Sequence, residues 1–122
     1  MKIKAEIKPV PLARYRDGKN GGKYLDARNK KFRQDLGLIA SAAMAGNAPF
    51  QVPLKVKLDL YKNISATAKN YGDADNHAKA ILDALNKIVW TDDKLVVSLE
   101  VHKHKSKLEF LEIEIEEIKN AL

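Results

Sequence analysis

The sequence has no cysteine, one tryptophan and three histidines among 122 residues. Without cysteine there is no disulfide, no thiol nucleophile and no thiolate metal site, so a bound metal must be held by oxygen or imidazole. That donor set favours hard cations such as Mg2+ or Mn2+. No run of about 18 apolar residues is present, and the opening "MKIKAEIKPV" alternates charged and apolar residues where a secretory signal would be apolar. A soluble, cytoplasmic protein with no membrane partner is expected. G-x-x-x-x-G-K-[ST], G-x-G-x-x-G and Ser-His-Asp patterns are also missing, so no nucleotide cofactor is expected and nothing points to acyl transfer. His102 and His104 share a strand face, but no third ligand is in pattern, and they read as surface residues rather than a zinc site.

What is present is enough apolar content, 45%, for one core. The net charge of +6 is divided unevenly. Residues 1–70 hold 15 Lys and Arg against 5 acids, and residues 71–122 hold 7 against 11. A basic surface is the footprint of a polyanion binder, because each cation near a phosphate releases counterions; a solvated lysine-rich surface is the bland alternative.

"KIKAEIKP" has the period of two expected of a half-buried strand. From Pro9 to Leu25 prolines, glycines and basic side chains predict an exposed basic loop. Asp26 is a plausible N-cap for a helix carrying Ala27, Phe32, Leu36, Ile39, Ala43 and Met44 near helical spacing and ending by Gly46. "PLKVKLDLY" alternates again. After "KNISATAKNYG", a second helix follows from the stripe Ala74, Ala78, Ile81, Leu85 and Ile88. "KLVVSLEVHKHK" and "LEFLEIEIEEI" are then two strands, read as a hairpin about "SK". The order βαβαββ implies a single small α/β (α+β) domain over residues 1–122, with a mixed sheet and two helices packed on it.

Acids crowd the second helix. Asp73 and Asp75 lie at its entry, and Asp92 and Asp93 follow "VW" beyond its end. An N-cap role explains Asp75 alone, and Asp75, Lys79, Asp83 and Asn86 share a face on which ion pairs are an ordinary explanation. Carboxylates that converge repel one another, so convergence of three or four would call for a divalent cation. Whether these four converge does not follow from spacing. An EF-hand is excluded, because its sixth and twelfth positions hold Ala78 and Ala84.

The segments "DADNHAKAILDALNK" and "VWTDD" resemble the D-x-D-N-x-x-K, D-A-L and D-D signature of RusA-type Holliday junction resolvases. "PVP" and "YLDARNKKFRQDL" are similar to that family's corresponding segments more loosely. The resemblance implies a homodimeric, Mg2+-dependent endonuclease, with Mn2+ able to substitute, that cuts branched DNA at four-way junctions by paired symmetric nicks. It assigns catalytic roles to Asp73, Asp75, Lys79 and Asp93, and metal ligation to Asp73, Asp75 and Asp93 with Asp92 as a companion. DNA contacts are expected from Arg14, Arg16, Lys19, Lys23, Lys30, Lys31 and Arg33, and from Lys62 and Lys69 ahead of the D-x-D. The rival readings are a nuclease acting on flaps, forks or duplex, a non-catalytic nucleic-acid-binding domain, and a small interaction protein.

Overall fold

The computed structural model describes residues 1–12, 16–17, 23–24, 27–65, 67–69 and 71–119. Strand β1 spans Lys2–Ala5, and two-residue strands β2 (Arg16–Asp17) and β3 (Lys23–Tyr24) pair with each other. Helix α1 runs Ala27–Met44, β4 Leu54–Lys62, α2 Ala74–Leu85, β5 Val96–Lys105 and β6 Phe110–Glu117. The main elements follow the predicted βαβαββ order, and the short β2–β3 ribbon is an addition to it. The expected N-cap Asp26 lies outside the described residues.

The four-stranded sheet has the order β1-β6-β4-β5, with β4 parallel to β5 and antiparallel to β6. Strand β4 is the organiser. Its inward residues Leu54, Val56, Leu58 and Leu60 are all fully buried, as a period of two on a half-covered sheet requires. The unit β4-α2-β5 is a parallel crossover, with α2 supplying the length such a connection needs.

The expected hairpin between the last two strands is not formed, because β6 lies on the far side of β4 from β5. The reason lies in their side chains. Strand β6 buries Leu111, Ile113 and Ile115 and takes an interior position. Strand β5 has no fully buried residue and faces inward with Leu99, Val101, Lys103 and Lys105, the register partners of Val56, Leu58, Leu60 and Lys62. A strand so charged is tolerated at an edge, where lysines also discourage pairing with another chain.

Helix α1 buries Phe32, Leu36, Ala40 and Met44, a row four residues apart. Ala27 and Ala43, placed on that stripe by the sequence pattern, are exposed instead. The helix ends at Ala45 (φ 51°) and Gly46 (φ 80°), a left-handed exit that glycine accepts readily. Helix α2 buries Ala78, Ile81 and Leu85 as expected, and also His77, Ala80 and Ala84, because it touches both the sheet and α1. Among the described residues no helix is long and apolar enough to cross a membrane.

Candidate active site

The first turn of α2 carries the paired acids. Asp73 occupies the N-cap position with extended backbone (φ −78°, ψ 153°), but its side chain makes no capping hydrogen bond. Asp73 and Asp75 are both exposed, as is Lys79 one turn further on. Asp75 is therefore a first-turn residue rather than the cap, well placed for the positive end of the helix dipole.

Several buried contacts fix the chain just ahead of these acids. Gly72 has φ +91°, and a Cβ there would lie 2.7 Å from Pro11 and 2.9 Å from the His77 ring. Only glycine fits. Leu12 N–H donates to the Asn76 carbonyl at 3.0 Å, and the Asn29 amide donates to the Pro11 carbonyl at 2.7 Å. The Pro-Val-Pro segment is thus packed on the start of α2. On the other side the Lys103 ammonium donates to the Gly72 carbonyl at 3.3 Å and lies 4.6 Å from the centre of the Tyr71 ring.

Beneath this turn lie Lys62 and His77, which are 1% and 0% exposed. Lys62 Nζ donates to the Tyr71 carbonyl at 2.9 Å and sits 3.3 Å from His77 Nε2. His77 Nδ1 is 2.9 Å from the Asp73 carbonyl. A carbonyl only accepts, so Nδ1 carries the proton and Nε2 is left bare to accept from the lysine. Burial pushes the imidazole down to about 4, against the opposing hydrogen bond to Asp73, so the ring is neutral at neutral pH. Burial also pushes the ammonium down to about 8, aided by the positive charges of Lys8, Arg28 and Lys103 and opposed by Glu109. Lys62 is therefore no surface cation, and the expectation that it meets DNA is corrected: continuing the alternation of Leu54, Val56, Leu58 and Leu60 by one step puts it on the inward face.

Past the other end of α2 the chain turns back through Lys87 (φ 70°), whose N–H donates to the Trp90 carbonyl at 2.7 Å. Phe50 and Val89, and Thr91 and Phe50, are joined by backbone hydrogen bonds of 2.8 and 3.1 Å. Trp90 is fully buried, and its indole N–H donates to Asp93 Oδ1 at 2.6 Å. Asp93 is half-buried; desolvation raises its pKa, the Trp90 bond opposes this, and Asp83 and Asp92 raise it further. Asp92 is exposed and caps the short 3-10 turn Asp93–Leu95, accepting from Lys94 N–H at 2.9 Å.

Asp93 therefore feels the charge of Asp83, which lies eight residues beyond Asp75 and about 12 Å further along the helix. Among the described residues, no three Asp, Glu or His side chains are grouped so as to hold a metal ion. The oxygen donors suit Mg2+ or Mn2+ in kind, but the described residues of one chain do not gather three of them at one point.

The D-x-D, the lysine one turn later and the acid after the aromatic residue have fixed places in this fold, and comparison with known proteins gives them a context. The sequence matches the model of the endodeoxyribonuclease RusA family over residues 6–116. The chain belongs to the RusA family. The match runs from just past β1 into β6 and includes both ends of α2. The RusA-family chain is also similar to the uncharacterized protein YqaN of Bacillus subtilis (strain 168), with 30% identity over 129 residues, covering 90% of this chain and 91% of the relative.

Of the basic residues expected on DNA, Lys30, Lys31, Arg33 and Lys69 are exposed, with Lys31 also paired to Asp35 at 2.9 Å. Arg14 and Lys19 lie outside the described residues, and Arg16 and Lys23 belong to β2 and β3. The sequence pattern did not single out Gly72, His77 or Trp90. For His77 a signal was present, since it stands one turn before Ile81 on the apolar side of the helix.

Proposed function

We propose that this RusA-family protein is a divalent-metal-dependent endonuclease that resolves four-way DNA junctions by paired symmetric nicks, acting as a homodimer. One observation carries the reading: an exposed D-x-D at the start of a helix, with the exposed Lys79 one turn on, in a chain that also holds Asp93 in a half-buried acidic setting. Asp73, Asp75 and Asp93 would hold the metal. When bound, Mg2+ or Mn2+ supplies a water of lowered pKa and charge relief at the phosphate. Lys79, one turn past Asp75, holds the scissile phosphate as a point charge. Exposed Lys30, Lys31, Arg33 and Lys69 gather the DNA backbone.

The separation of the two acidic positions favours two copies. A two-fold axis can bring the Asp73–Asp75 end of one α2 beside the Asp93 end of the other, and it does so twice, giving two matched sites. An open groove of about 670 Å3 beside Asp83, lined also by Arg33, Leu38, Asn86 and Ile88, leaves room for such an approach. Incubation with synthetic four-way junctions, flaps, forks and linear duplexes in Mg2+ tests the function. Symmetric paired nicks confined to the junction are expected. Equal cutting of flaps or duplex would replace junction resolution by a broader nuclease activity.

A further inference from the structure

The placement of a lysine in the core needs an explanation that stability does not provide. Lys62 is 1% exposed, and its charged neighbours are Lys8, Arg28 and Lys103, opposed by Glu109. Burying an ammonium among like charges is costly, and an apolar residue of similar length is commonly neutral or better at such a site. What the lysine gains is a set of contacts converging on one short segment. It donates to the Tyr71 carbonyl at 2.9 Å and to His77 Nε2 at 3.3 Å, and it lies 4.8 Å from the centre of the Tyr71 ring. His77 passes the connection on, since its Nδ1–H donates to the Asp73 carbonyl at 2.9 Å.

We propose that Lys62 and His77 form a buried clamp that fixes the Tyr71–Asp73 turn against the end of β4 and so sets where the carboxylates of Asp73 and Asp75 stand. The inference rests on the nuclease reading for its consequence in catalysis, though not for the clamp itself. Both are positioning residues, because neither can reach DNA or a metal from its buried place. The clamp ties the end of β4, a strand paired on both sides, to a segment held otherwise by the Lys103 contacts to the Gly72 carbonyl and the Tyr71 ring, by the packing of Gly72 on Pro11 and by single backbone bonds. A site that must hold ligands to within about 0.5 Å needs such support. A costly buried group beside the proposed ligands is the usual exchange of stability for function.

The test uses the full-length protein in four measurements: junction cleavage rate, junction affinity, thermal midpoint, and amide hydrogen exchange at residues 72–76. For Lys62→Met the rate should fall by about ten- to a hundredfold, as for loss of a group that orients a ligand. Its junction affinity should stay within about twofold, since no phosphate contact is removed. Its midpoint should equal or exceed that of wild type, and exchange at residues 72–76 should quicken. His77→Asn, whose amide can still donate to the Asp73 carbonyl, should retain more of the rate than His77→Leu. Lys57→Met, on the outer sheet face, is the control and should match wild type.

A wild-type rate or unchanged exchange in Lys62→Met overturns the proposal. So does a variant that is unfolded or loses affinity and rate together, because the lysine would then be a stability element. Equal rates in His77→Asn and His77→Leu would remove His77 from the clamp. If wild type fails to cut any junction while Lys62→Met still loosens residues 72–76, the nuclease reading fails and the clamp stands.

Discussion

At the first turn of α2, Asp73 and Asp75 stand exposed above a buried histidine and a buried lysine, Lys62, whose charged neighbours include Lys8, Arg28 and Lys103. Beyond its last turn, Asp93 is half-buried, bonded to Trp90 and flanked by Asp83 and Asp92. The first pair is acid on a basic ground, which suits a place where a phosphate must come close. The second is acid on an acidic ground, where burial first and the neighbouring carboxylates second raise the carboxyl pKa and an added cation brings relief. Among the described residues, neither end groups three such side chains so that they could hold a metal ion. On the proposed reading the two are complementary, and a complete site takes one of each.

The sharpest way to break that comparison is complementation. Asp75→Asn and Asp93→Asn should each lower cleavage by at least about a hundredfold, more than an outer-shell change usually costs. Mixed and allowed to exchange subunits, the two dead variants should regain nicking of one strand, because one of the two composite sites then contains only wild-type acids. If the site lies within one chain, every site in the mixture stays defective and no activity returns. Gel analysis of a junction labelled on each strand separates these outcomes.

A smaller effect is expected at the acidic end from Trp90→Phe, which removes the 2.6 Å hydrogen bond while keeping an aromatic ring in the core. The rate should fall by about tenfold, as for loss of a group orienting a ligand, with junction affinity unchanged. A Trp90→Phe rate equal to wild type would make that bond a packing detail.

The smallest effect is on stability, at the basic end. The Lys62 ammonium is pushed down to about 8, from 10.5 for a free lysine. Between those values the unfolded chain binds more protons than the folded one, so this residue makes stability rise with pH. Below pH 8 the full cost of burying the charge is present. Lys62→Met should therefore exceed wild type in stability by its largest margin at pH 7, and the margin should narrow toward pH 10. Urea unfolding of both proteins across that range measures it, and a constant margin would mean that Lys62 is not desolvated.

Much of the molecule was legible in advance. The alternation of Leu54, Val56, Leu58 and Leu60 and that of Leu111, Ile113 and Ile115 marked their strands, and Ala78, Ile81 and Leu85 marked the buried side of α2, as observed. Period alone sets which face a side chain takes, and period is local. The D-x-D, Lys79 and Asp93 were equally readable as residue types at a spacing. The same alternation, continued one step past Leu60, places Lys62 on the inward face.

Other features depended on residues far apart in the chain. The partner of a strand is chosen by which apolar faces can be covered together, so only the packed sheet decided that β6 inserts between β1 and β4 while charged β5 is left at the edge. The same holds for Lys62 and His77, 15 residues apart in sequence and 3.3 Å apart in space. The sequence by itself determined periods, faces and the kinds of donor atom available. Only the tertiary structure decided which charge is buried and which acids are neighbours, because burial and electrostatic coupling depend on distance through space and not along the chain.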